Sequence, residues 1–207
     1  LVRRVFQSYV LTGRPNLVMA TLYMSRESVT LAKLLNSILS EKYDSELHWL
    51  SFFCNSRHEA FSASVKLARH NVRVKGGVTP KSTVVFDRNS RIYNGHTDIA
   101  CDTEGHDGIV PGLSFVNTLS QLKESILSGD FGSVYYVSQY ENPIEERKLL
   151  SSISALCKDR SIYLTIDESQ CDLQTDRLLS PHINVDCVTL GDNLSGGLFP
   201  IGVMIAR

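Results

Sequence analysis

Four short stretches collect the residue types that do chemistry: Asn55-Ser56-Arg57-His58-Glu59, Ser138-Gln139-Tyr140-Glu141-Asn142, Asp167-Glu168-Ser169-Gln170 and Gly191 to Gly197. Arg57 offers a guanidinium that binds anions. Its plain reading, with His58, is a pair of solvated first-turn residues of a helix. Asp167 and Glu168 are adjacent carboxylates whose plain reading is a capped strand end facing solvent or an arginine. Asn193-Leu194-Ser195 has the form of a glycosylation acceptor, for which chance is the better account. His96, His106 and His182 show no metal-ligand spacing, so no metal site is expected. Residue order alone assigns no Ser/His/Asp constellation.

The elements that position these stretches follow from periodicity. Val29, Ala32, Leu35 and Leu39 recur at helical spacing between Ser25 and Glu41. Leu47–Cys54 is a short apolar run suited to a strand. Ser56 and Glu59 then fit a capping box, starting a helix that runs to about His70 with Phe61, Val65 and Ala68 inward. Further strands are expected at Thr83–Phe86, Val134–Ser138, Ile162–Ile166, Cys187–Leu190 and Val203–Ala206, with helices over Leu119–Leu127 and Glu145–Lys158. In the last of these, Leu149, Ile153 and Leu156 point inward, and Glu145 and Glu146 suit the helix dipole. Gly76, Gly77 and Pro80 mark a loop between Asn71 and Lys81, and another loop is expected across Asp98–Leu113. Strands alternating with amphipathic helices predict an α/β fold, a three-layer αβα arrangement around a mainly parallel sheet. Ligands bind such sheets outside the carboxyl ends of the strands, where all four stretches fall together with the one that follows Phe86.

Composition limits the partners. With 207 residues, 43% of them hydrophobic, the chain can bury one substantial core. A net charge of −1 supplies no basic face for nucleic acid, and no apolar run is long enough to insert in a membrane. Cys54, Cys101, Cys157, Cys171 and Cys187 are odd in number and widely spaced, which argues against a disulfide framework and for a reducing compartment, cytosol or mitochondrial matrix.

Read in order, the strand ends resemble the motif series of the class III, ornithine/acetylornithine-type aminotransferases, which are fold-type I pyridoxal-phosphate enzymes. Phe53-Cys54-Asn55-Ser56-Arg57-His58-Glu59-Ala60, continuing to Lys66-Leu67-Ala68-Arg69, is similar to the family's F-x-N-S-G-[TA]-E-A and K-L-A-R segments. Ile166-Asp167-Glu168-Ser169-Gln170 resembles I-x-D-E-V-Q. Leu190 to Gly202 resembles L-x-K-x-L-G-G-G-x-P-I-G, with Phe199 as one inserted residue. Three motifs in the right order are far more specific than any one of them.

The resemblance implies a role for each position. Ser56 and Arg57 fall at the turn that holds the cofactor phosphate, with Arg57 in place of a glycine. Tyr93 falls where an aromatic ring stacks on the pyridine. Asp167 falls where a carboxylate pairs with the ring nitrogen, making the ring an electron sink, and Gln170 near the ring hydroxyl. Asp192 replaces the lysine that forms an imine with the cofactor and shuttles the proton, and no lysine follows Lys158. The expectation is therefore a catalytically inactive aminotransferase-like protein. Residues 1–207 form a large domain with a helical entry over about 1–46, a core over about 47–207 and no small C-terminal domain. No cofactor is expected, or pyridoxal phosphate held without a covalent bond through a vestigial set of Asp167, Gln170, Tyr93, Ser56 and Arg57. The implied partners are proteins: a second copy, an active paralogue or a larger assembly. The alternative is a transaminase, or a subunit of one, that acts on an amino acid and still binds the cofactor.

Overall fold

A computed structural model describes residues 4, 7, 11, 26–43, 48–76, 82–88, 112–139, 141–170, 183–196 and 200–207. The chain divides into two compact units, Leu1–Leu35 and Asn36–Arg207, with the boundary inside helix α1 (Arg26–Lys42). The larger unit carries the sheet.

Seven strands are described: β1 (Leu50–Cys54), β2 (Ser82–Phe86), β3 (Leu113–Val116), β4 (Phe131–Val137), β5 (Tyr163–Asp167), β6 (Cys187–Leu190) and β7 (Gly202–Ala206). They lie in the order β1-β7-β6-β5-β4-β2-β3. The five strands from β6 to β3 are parallel, whereas β7 runs antiparallel to β6 and β1 antiparallel to β7. The mainly parallel sheet is as expected, and both reversals lie at one edge.

Strand alternation separates the two faces. Tyr135 meets Phe61 of α2 (Arg57–Gly76) edge to face at 4.8 Å. It joins Val65, Val85, Leu113 and Val137 in one cluster, and Ala68, Tyr163, Cys187 and Ala206 form a second beneath the same helix. The neighbouring Tyr136 points the other way and bonds Glu146 of α4 (Pro143–Asp159), which covers the second face with α3 (Leu119–Ser128). Helices on both faces explain why β4, β5 and β6 are buried almost throughout.

Local chemistry fixes the helix ends. Thr118 and Gln121 make a reciprocal capping box at α3, which stops at Gly129 in the left-handed region, φ 81°. Asn142 caps α4 ahead of Pro143 in its first turn.

Three expectations need correction. Helix α2 does not stop at His70 but continues to Gly76, because Val72 still packs on the sheet cluster and the glycines act only at its end. Leu113 is not the end of a loop; it opens β3, a four-residue edge strand too short to declare itself by period. In α4 the buried positions are Glu146, Leu150, Ile153, Ser154 and Cys157, so the inward stripe is turned by one residue from Leu149 and Leu156. The rest of the expected Asp98–Leu113 loop, before Gly112, lies outside the described residues, as do 77–81 of the expected loop after α2.

Candidate functional site

Helix α2 begins directly after β1, and its first turn leans on two glycines. A Cβ added at Gly202 would lie 2.1 Å from the Ser56 carbonyl oxygen and 3.0 Å from the Arg57 nitrogen. One added at Gly191 would lie 2.8 Å from Ser169 Cβ and 3.0 Å from Arg57 Cβ. Only hydrogen at these positions lets the turn settle on the ends of β6 and β7. The Arg57 and Ser169 side chains therefore start as neighbours over Gly191.

The capping box expected at this turn is half realised. The Glu59 amide donates to Ser56 Oγ at 3.2 Å, but the Glu59 carboxylate accepts from the Asn55 amide (2.9 Å) and side-chain nitrogen (3.3 Å). Ser56 Oγ thus accepts one bond and keeps its proton to donate.

Asp167 ends β5 and is 1% exposed. Its Oδ1 accepts the Ser169 amide at 2.7 Å, while its own carbonyl accepts the Ser138 amide at 3.1 Å, tying the end of β4 to the end of β5. Glu168 is fully buried and its amide donates to the Thr189 carbonyl at 2.8 Å. Gln170 is exposed, and its carbonyl accepts Asn193 Nδ2 at 2.9 Å, fastening this turn to the 3-10 turn Asp192–Ser195 that follows β6. Asp167, Ser56 and Arg57 thus share the carboxyl end of the sheet with Gln170 and Asp192; Tyr93 lies outside the described residues.

Several polar atoms at this end are buried without a hydrogen-bond partner: Arg57 Nε, Ser138 Oγ, Gln139 Nε2 and Ser169 Oγ. Each carries a desolvation cost that a bound partner would remove.

A second feature adjoins it on the α4 side. Glu146, 3% exposed, accepts Tyr136 Oη at 2.7 Å, the Gln139 amide at 3.1 Å and Arg88 Nη2 at 3.1 Å. Burial, and after it the Glu146 charge, push the Tyr136 hydroxyl well above its ordinary value, so it stays a proton donor. A cavity of about 410 Å³ opens beside this cluster, lined in part by Arg88, Gln139, Glu141 and Glu145. From the sequence, Glu146 is expected only to complement the helix dipole. The available signal was its place on the stripe Glu146, Leu150, Ile153, Cys157.

The donor set suits an oxyanion: a guanidinium, two serine hydroxyls and a helix N-terminus. The residue after Gly191, at the start of the turn that follows β6, is aspartate. Among the described residues no group of histidines, cysteines and carboxylates could hold a metal ion, and no helix is long and apolar enough to cross a membrane.

No family profile matches the sequence. Individual relatives do. The chain is 31% identical over 171 residues to acetylornithine aminotransferase of Xanthomonas axonopodis pv. citri, covering 75% of this chain and 41% of that protein. It is 33% identical over 168 residues to the protein of that name from Oceanobacillus iheyensis, covering 75% and 42%. The chain therefore spans about two fifths of the length of the curated relatives it matches. Among solved structures, N-acetylornithine aminotransferase from Stenotrophomonas maltophilia superposes with a TM-score of 0.58 at 20% identity, over 89% of this chain and 47% of that one. Ornithine aminotransferase from Toxoplasma gondii, which has partial occupancy of PLP at its active site, gives 0.62 at 16% identity, over 89% and 45%.

Proposed function

This chain belongs to the class III, acetylornithine-type aminotransferase family, and on that premise we propose that it does not itself transfer amino groups but serves as a structural or interaction subunit. The observation that carries the reading is Asp192 immediately after Gly191, at the position where the family motif has its lysine. A carboxylate forms no imine and cannot relay a proton as an amine does. Arg57 and Ser169 support the same reading, since both depart from the family motif at the turn around the cofactor.

Residues 1–207 are read as one large-domain segment, with a helical entry over about 1–46 and the core following. The partner in this reading is a protein: a second copy, an active paralogue or a larger assembly, because family members form dimers with sites at the subunit boundary. Pyridoxal phosphate, when bound to such a fold, supplies an electron sink. In this chain its contacts would be Asp167, Gln170, Tyr93, Ser56 and Arg57. The second reading, a transaminase or transaminase subunit with a non-covalent cofactor, is favoured by one observation, the buried carboxylate of Asp167 at the end of β5.

Size-exclusion chromatography with light scattering, together with affinity co-purification, tests the first reading. The expected outcome is an oligomer or a stable complex. A monodisperse monomer that retains no partner would overturn it. Incubation with amino donor, 2-oxo acid and pyridoxal phosphate is expected to give no amino transfer, and measurable turnover would establish the second reading instead.

A further inference from the structure

Helix α4 ends at the amino end of the sheet in a turn that satisfies its own backbone. The Arg160 amide donates to the Leu156 carbonyl at 3.2 Å, the Ser161 amide to that of Lys158 at 3.1 Å and the Ile162 amide to that of Cys157 at 2.8 Å. Main-chain donors thus take these last carbonyls, and the Lys158 and Arg160 side chains are not needed to cap them. Ser161 makes the turn in the left-handed region, φ 54°, and is the only described non-glycine residue with a positive φ. The chain thereby keeps a hydroxyl at a position that favours glycine, and such backbone outliers gather at functional sites.

The turn borders a cavity of about 390 Å³, a size that suits a small molecule. Its lining combines Lys158, Arg160 and Ser161 with the apolar Val72, Phe131 and Ile162. Asp186 is the one carboxylate among these lining residues, and both of its oxygens are engaged: Oδ1 with Arg207 Nη2 at 3.1 Å, Oδ2 with the Leu164 amide at 2.9 Å. Lys158 and Arg160 are exposed, and neither has an ion-pair partner among the described residues. The cavity therefore brings two unmatched cations together with apolar side chains.

We propose that this cavity is a binding site for a small carboxylate with an apolar body. The Arg160 fork and the Lys158 ammonium take the carboxylate, the Ser161 hydroxyl donates a further bond, and Val72, Phe131 and Ile162 cover the body. A compact inorganic anion would leave the apolar lining facing water, and an amine would meet two like charges. The site does not rest on the subunit reading. An oligomer that binds no carboxylate leaves that reading intact, and a monomer that binds one leaves the site intact.

The test is calorimetric titration of the full 207-residue chain with phenylacetate, acetate, phenylacetamide and 2-phenylethylamine, at matched ionic strength. Phenylacetate is expected to bind, acetate and phenylacetamide to bind about tenfold more weakly or less, and 2-phenylethylamine not to bind. A Lys158→Ala/Arg160→Ala double variant, which alters only exposed side chains, should weaken phenylacetate binding about tenfold or more. Ser161→Gly separates binding from folding. It should raise the melting temperature, because glycine suits the left-handed region, and yet weaken phenylacetate binding a few-fold. A merely structural turn would gain stability with no change in affinity. Absence of phenylacetate binding, wild-type affinity in the double variant or in Ser161→Gly, or 2-phenylethylamine binding as tightly as phenylacetate would each overturn the proposal.

Discussion

The two ends of the sheet carry cavities of similar size but differ in how completely their polar groups are matched. At the amino end, a cavity of about 390 Å³ is bordered by Tyr163, Asn184 and Asp186. Asp186 accepts the Leu164 amide at 2.9 Å and Arg207 Nη2 at 3.1 Å. The Asn184 side chain accepts the same Arg207 at 2.7 Å, and its carbonyl accepts Ser154 Oγ at 2.7 Å. At the carboxyl end, Arg57, Ser138, Gln139 and Ser169 bury polar atoms that nothing meets. The amino-end groups are part-exposed and matched within the fold. A buried group left unmatched costs stability and is tolerated where a ligand, present or ancestral, supplied the other half.

The largest effect is expected at Glu146, a carboxyl-end group matched by several partners like those of the amino end. Glu146→Ala strands Tyr136 and removes the counter-charge of Arg88, and is expected to lower the unfolding free energy by about 3 kcal/mol in urea titrations. Arg88 is about a third exposed and can recover water, which holds the loss at the lower end of the range for buried pairs.

A pair of serines sharpens the contrast with smaller effects. Ser154→Ala at the amino end deletes a made bond and should cost about 1 kcal/mol, whereas Ser138→Ala deletes an unmatched hydroxyl and should be neutral or stabilising by up to about 1 kcal/mol. Equal losses at both positions would show that the unmatched atoms are not under strain.

The cysteines give the smallest effect, a difference in reactivity. Burial, and after it the Glu59 charge, raises the half-buried Cys54 thiol above its ordinary value, so Cys54 should be alkylated in the native protein only slowly near neutral pH and faster as pH rises. Cys157 and Cys187 should react only on unfolding, as read by peptide mass mapping. Burial, then the charge of Asp186, pushes Cys157 from 9.0 up to about 12. Its folded value is raised, so its contribution to stability is complete below pH 9 and declines as pH rises from there towards 12.

Much of the architecture was legible because it rests on periodicity and order. The buried trio Phe61, Val65 and Ala68, and the strands ending at Phe86, Ile166 or Asp167 and Leu190, come out where apolar runs and caps place them. The antiparallel edge was not legible, since pairing between β1 and β7 joins residues far apart in the chain and leaves no local mark. The site was legible as positions: Ser56, Arg57, Asp167, Gln170 and Asp192 share one end of the sheet. Which of their atoms are matched was not, because that depends on neighbours such as Gly191 and Gly202, whose only signal is the lack of a side chain.

The reversed edge also sets an order of events during folding. Among the described strands, β1 pairs only with Gly202–Ala206, although α2 follows it directly in the chain. The turn between β1 and α2 rests on Gly202 and Gly191, so it cannot take its final shape until those late residues have been synthesised and paired. Contacts of such long sequence separation form slowly, because the loop must close before the contact repays it. The shape of the turn between β1 and α2 thus depends on contacts with the C-terminal strand rather than on its own neighbours in sequence.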